Sequence, residues 1–93
     1  MLGLIYLDLR RFEEAADHFQ QALAISREFR DRHHAARILH SLGEALRAMD
    51  QLPEARESWL EALNIFDDLG APEATEVRAC LETLDAHDVD QHR

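Results

Sequence analysis

Two stretches of the chain carry almost the same alternation of apolar and polar positions. Residues 12–25 read FEEAADHFQQALAI and residues 52–65 read LPEARESWLEALNI. In both, apolar residues recur at steps of three and four, the spacing of a helix with one buried face. Between them, Ala35, Ile38, Leu39, Leu42, Leu46 and Met49 mark another such face, and Ala74, Val77, Leu81 and Leu84 mark one more. The breaks fall where helices start and stop. Asp31 stands ahead of its helix, where its carboxylate can accept from free N–H groups. The chain turns around Asp50 and Gln51, and Pro53 then occupies a first helical turn, where proline is tolerated. Leu69-Gly70 closes the next helix, with Gly70 suited to a left-handed cap. Ala71-Pro72-Glu73 opens the last one. The pattern predicts an all-α chain, fraying into a polar tail after about Ala86.

The halves superimpose in register. Gly3 falls on Gly43, Ala15 on Ala55, Phe19 on Trp59, Ala22 on Ala62, Leu23 on Leu63 and Ile25 on Ile65, always at the same offset of 40. A fixed period in this range marks a stacked repeat. Helices approach to about 8 Å only where facing side chains are small. Gly3, Gly43, Ala15, Ala22, Ala55 and Ala62 therefore read as close-contact points, and Phe19 and Trp59 as the rings that fill the space beside them. At 93 residues one domain is expected: a single domain over 1–86, with repeat one at 1–30, repeat two at 31–70 and a capping helix at 72–86, then a polar tail at 87–93. Repeat one is cut short at its N-terminus. Roughly the first eight to ten residues of the helix that Asp31–Met49 shows in full have no counterpart.

Leu2-Gly3-x-x-Tyr6 with Ala15, Phe19 and Ala22, and Leu42-Gly43-x-x-Leu46 with Ala55, Trp59 and Ala62, resemble the tetratricopeptide repeat (TPR). The resemblance covers about Met1 to Gly70 and implies an α-α superhelix, a TPR-like solenoid of two helix-turn-helix repeats with a C-terminal capping helix. The offset here exceeds the family's usual period of about 34 and is similar to its longer-helix variants. Arg30-Asp31 stands where a repeat-closing proline is ordinary, and Thr83 or Glu82 stands where a third glycine would be. The wording of residues 2–25 and 39–49 is also similar to TPR arrays of large actinobacterial transcriptional regulators. Those carry DNA-binding and nucleotide-binding domains ahead of the repeats.

Charge changes the picture. The net is −9, and none of it lies in the first half. Residues 1–49 hold seven acids and seven arginines, while residues 50–93 hold twelve acids and three arginines. An acidic half repels phosphate backbones, which argues against direct nucleic-acid binding, and steers basic partners toward it. No apolar run approaches the ~18 residues that span a bilayer, and no basic leader is visible, so no membrane partner is expected. The single cysteine, Cys80, cannot form an internal disulfide, which leans toward a reducing cytoplasm.

Little points to chemistry. His33, Arg37 and His40 share one helical stripe, but no two histidines stand at the i, i+4 spacing of a metal pair. Cys80 has no base at helical spacing and reads as a small packed hydrophobe. The three glycines are too far apart for a phosphate loop. Ser26, Ser41 and Ser58 lie inside helices without triad partners. No enzyme, metal or cofactor is expected.

The TPR resemblance implies a protein–protein interaction module that binds a peptide or protein partner on the concave face. The implied inward positions are Arg37, His40, Glu44, Arg47 and Ala48 in repeat two and Leu4, Leu7 and Asp8 in repeat one. The lysine–asparagine carboxylate clamp of chaperone-type TPRs is absent, because Ser41 and Glu44 stand at the asparagine positions. The run Leu4-Ile5-Tyr6-Leu7 raises a different possibility. Four consecutive apolar residues cannot all face one core across a helix, and two repeats fall below the three usually needed to stand alone. Self-association through the first helix is therefore expected, as a dimer that continues the superhelix. A further alternative is the ligand- or peptide-sensing portion of a nucleotide-dependent transcriptional regulator.

Overall fold

The protein is described from a computed structural model, which covers Gly3, Ile5 and residues 9–91, with side chains as far as Ala86. Leu4, Tyr6, Leu7 and Asp8 lie outside the described residues. Four helices follow in order: α1 (Phe12–Glu28), α2 (Arg32–Ala48), α3 (Leu52–Leu69) and α4 (Glu73–Gln91). Gly3 and Ile5 are also helical. Each helix packs mainly on its neighbours in sequence, α1 on α2, α2 on α3 and α3 on α4. With no strand among the described residues, this is an all-α superhelical stack.

The caps follow the local sequence. Asp31 caps α2, its Oδ1 accepting from the His34 N–H at 3.1 Å. Pro53 lies in the first turn of α3, and Gly70 ends that helix at φ 63°. The left-handed backbone at Gly70 is shared by Arg10 at φ 60°, Arg30 at φ 56° and Asp50 at φ 62°. These four turn residues are evenly spaced along the chain. Behind three of them the same pair of bonds closes the helix: Asp31 N–H to Ser26 carbonyl and Arg30 N–H to Arg27, Gln51 to Leu46 and Asp50 to Arg47, Ala71 to Phe66 and Gly70 to Asp67, at 2.9–3.2 Å. This is the Schellman closure. Half of the repeat period is thus one helix plus one turn of fixed shape.

Glycine and aromatic meet as the spacing suggested. A Cβ on Gly3 would stand 2.7 Å from Phe19 Cε1, and one on Gly43 would overlap the Trp59 indole. The Trp59 Nε1–H donates to the His40 carbonyl at 2.9 Å, so the buried ring leaves no polar atom unpaired. Ala15, Ala55, Ala62, Phe19 and Trp59 are at most 1% exposed, Leu46 is buried, and Ala22 is half-buried against the same core. Phe66, also fully buried, extends the core past α3.

α4 departs from the expected boundary near Ala86 and remains helical to Gln91. No glycine or proline interrupts residues 73–91, and polar residues cost a helix only tenths of a kcal/mol each. Its apolar face aligns with that of α2 one position short of the repeat offset. Ala35, Ile38, Leu42 and Ala45 become Ala74, Val77, Leu81 and Leu84, all buried in both helices. The α2 face that meets its following helix, with Leu39, Gly43 and Leu46, becomes Arg78, Glu82 and Asp85, all exposed.

Replacing Gly43 by alanine forces the indole of Trp59 off its seat. Overpacking of this kind is expected to cost about 1–3 kcal/mol, or about 4–8 °C of melting temperature per kcal/mol in a chain this size. A far-UV circular dichroism melt of Gly43→Ala checks it; an unchanged midpoint removes this contact from the core.

Candidate functional site

α2 has two faces. Ala35, Ala36, Ile38, Leu39, Leu42, Ala45 and Leu46 are buried. Arg37, His40, Ser41, Glu44, Arg47 and Ala48 lie on the remaining side, with Arg37, Arg47 and Ala48 exposed. This side looks across to α4, and the space between forms a groove with two hollows. The smaller, about 260 Å³, is lined by Arg37, His40 and Glu44 from α2 and by Glu73 and Glu76 at the start of α4. The larger, about 990 Å³, is lined by Arg10 and Phe12, by Glu44, Arg47 and Ala48, and by Ala79, Cys80 and Thr83, with Trp59 behind them. Glu44 borders both. Arg37, His40, Glu44 and Arg47, chosen from one helix, thus share one groove. Leu4, Leu7 and Asp8 lie outside the described residues.

The opposite wall escaped sequence reasoning, which treated residues 72–86 as a cap. The matching of Ser41 to Cys80 and of His40 to Ala79, one position short of the repeat offset, is the signal that would have found it.

Two contacts tie the groove walls together. His33 Nε2 lies 2.8 Å from Glu73 Oε2, and the His33 ring stands edge-on to Phe66 at 5.7 Å. The Glu73 carboxyl is held below its ordinary value by a backbone hydrogen bond, with His33 and Arg37 adding to the effect. Deeper in the groove, His40 Nε2 lies 3.7 Å from Cys80 Sγ and 3.6 Å from Glu44 Oε1. The fold therefore brings Cys80 a base that helical spacing alone does not supply. The trio is not a nucleophilic relay. A relay orients the imidazole through one nitrogen and takes the proton on the other, whereas here both partners meet Nε2. Burial, then the neighbouring Glu44 carboxylate, raises the Cys80 thiol above its ordinary value, which disfavours the thiolate that nucleophilic chemistry needs. Among the described residues no three histidine, cysteine or carboxylate side chains converge on a metal position.

The ion pairs lie elsewhere. Arg27 meets Glu61 at 2.6 Å, Arg32 meets Asp68 at 2.9 Å, Arg56 meets Asp85 at 2.5 Å and Arg78 meets Asp67 at 2.6 Å. Exposed pairs contribute about 0–1 kcal/mol each, but they neutralise acids of the second half. Among the described residues, no carboxylate lies within ion-pair distance of Arg10, Arg37 or Arg47, and all three line the groove.

The tetratricopeptide repeat family model matches residues 1–68, which hold the glycine–aromatic contacts and the first wall of the groove. The chain belongs to the TPR family. A regulatory protein, AfsR, of Streptomyces griseus is 36% identical over 81 residues, covering 87% of this chain and 8% of the relative. The protein of the same name from Streptomyces coelicolor is 43% identical over 67 residues, covering 72% of this chain and 7% of the relative. The chain thus spans less than a tenth of the length of these relatives. No solved structure matches it significantly. The TPR fold is a non-catalytic scaffold that generally mediates protein–protein interaction. No helix among the described residues is long and apolar enough to cross a membrane.

The state of Cys80 can be tested directly. Its alkylation by iodoacetamide at mildly alkaline pH should run several-fold slower than that of free cysteine, and Glu44→Gln should speed it, because the negative charge that opposes thiolate formation is gone. Alkylation faster than free cysteine would mean that His40 activates the thiol.

Proposed function

We propose that this chain is a protein-interaction module that binds a peptide or protein partner in the groove between α2 and α4, within a larger regulatory protein or a relative of one. The observation that carries the reading is the groove itself: Arg37, His40, Glu44 and Arg47 converge on one open surface, in a family whose general work is protein binding. In this reading the helices up to α4 act as one domain, and α4 serves both as cap and as second wall. The compartment assigned is the cytoplasm, supported by the free, unpaired Cys80.

The experiment is a selection of a displayed random-peptide library on the full chain, followed by Ala48→Trp. Ala48 is exposed on α2 at the larger hollow, so a tryptophan there fills the groove without entering the core. Peptides should be enriched, and Ala48→Trp should weaken them at least tenfold with the melting temperature unchanged. Failure to enrich any peptide, or binding indifferent to Ala48→Trp, overturns the reading.

A second reading is self-assembly through the first helix. Ile5 is 54% exposed and Leu9 61% exposed. Ile5 is the counterpart, one repeat earlier, of Ala45, which is fully buried in α2. A helix laid over Ile5 would bury the corresponding position. Light scattering behind size exclusion across a concentration series should show a dimer, and Leu4→Glu with Leu7→Glu should return a soluble monomer. An oligomer unchanged by the double substitution rules this interface out.

A further inference from the structure

The larger hollow brings together two arginines without a carboxylate in ion-pair reach among the described residues, beside apolar surface. Several arginines on the outer surface have carboxylates against them: Arg27 has Glu61, Arg32 has Asp68 and Arg78 has Asp67. Arg10 and Arg47 face the hollow with no carboxylate in reach among the described residues. The one acid on that wall, Glu44, lies 3.6 Å from His40 Nε2. Phe12, Ala48 and Ala79 add apolar lining to the same hollow. Arg10 itself is held at φ 60°, a backbone that costs a Cβ-bearing residue about 1–2 kcal/mol. Unfilled guanidinium forks beside apolar surface match a carboxylate next to a bulky side chain.

We propose that the larger hollow receives an acidic segment of a protein partner. Its aspartate or glutamate carboxylates pair with Arg10 and Arg47, and an adjacent leucine or aromatic side chain lies over Phe12 and Ala48. A basic segment would meet two unpaired arginines and only one acid. A nucleic acid would carry its phosphates past Glu44, Glu76 and a chain of net charge −9, where each further phosphate is repelled.

The inference rests on the groove reading above, and the same library selection separates the two. Enriched peptides should be acidic with one large apolar residue. In fluorescence anisotropy the best of them should bind at least tenfold more tightly than its copy with Asp and Glu changed to Asn and Gln, and should weaken as salt rises. Arg47→Ala and Arg10→Gly should each weaken it at least fivefold. Arg10→Gly also relieves the left-handed strain, so it should leave the melting temperature equal or higher, which excludes misfolding as the cause of lost binding. Arg27→Ala removes the same charge from the outer surface and should change binding less than twofold.

Neutral or basic peptides that are enriched and displaced by Ala48→Trp would leave the groove reading standing and overturn the acidic partner. Equal weakening by Arg27→Ala, or tighter binding of a single-stranded oligonucleotide of the same length, would overturn it too. So would an oligomer that Arg47→Ala converts to monomer, which would assign the hollow to a second copy of the chain.

Discussion

The structure depends on the contact of an aromatic ring with a glycine. Trp59 lies against Gly43 so closely that no side chain could stand there, and Phe19 lies likewise against Gly3. Two helices can cross only as near as the atoms between them permit, so the missing Cβ sets their distance and the ring sets their orientation. The indole adds a hydrogen bond to the His40 carbonyl. That bond ties the core contact to the groove, because the carbonyl belongs to the residue whose imidazole lies beside Cys80 and Glu44. Core packing on one side of α2 therefore positions the groove-facing residues on the other.

Repetition needs a second constraint, that every turn have the same shape. The left-handed residues Arg10, Arg30, Asp50 and Gly70 provide it. Only Gly70 could be identified from sequence, since glycine is the residue that adopts this backbone freely. Arg10, Arg30 and Asp50 have no such signature, and their turns were visible only as gaps between apolar faces. The helices themselves were legible because burial follows their period closely. The repeat register was legible because small residues fell on small and aromatic on aromatic.

The groove was half legible. Arg37, His40, Glu44 and Arg47 could be named because α2 is complete and its buried face is unambiguous. The α4 wall was missed for a definable reason. Alignment at the repeat offset sets Arg37 over Val77 and Glu44 over Leu84, polar residues over buried ones. Shifting by one restores Ile38 over Val77 and Ala45 over Leu84, and Cys80 then falls where Ser41 faces the groove. The contact between His40 and Cys80 joins two helices with a third between them in sequence. It follows from stacking and cannot be read from spacing along one helix.

The two ends of the stack differ in kind. In the middle, α2 is covered by α1 on one side and by α3 on the other. α4 keeps the first of these faces apolar and replaces the second by Arg78, Glu82 and Asp85, so water can solvate it at little cost. At the other end the position equivalent to Ala45 and Leu84 is Ile5, which is more than half exposed. In a stack whose stability comes from nearest-neighbour interfaces, the faces of α4 and of the segment around Ile5 therefore differ in how readily they take a further neighbour. The groove lies between them, walled by α2, which is packed on both sides, and by α4, whose second face is polar, with arginines lacking ion-pair partners where the outer surface has paired most of its own.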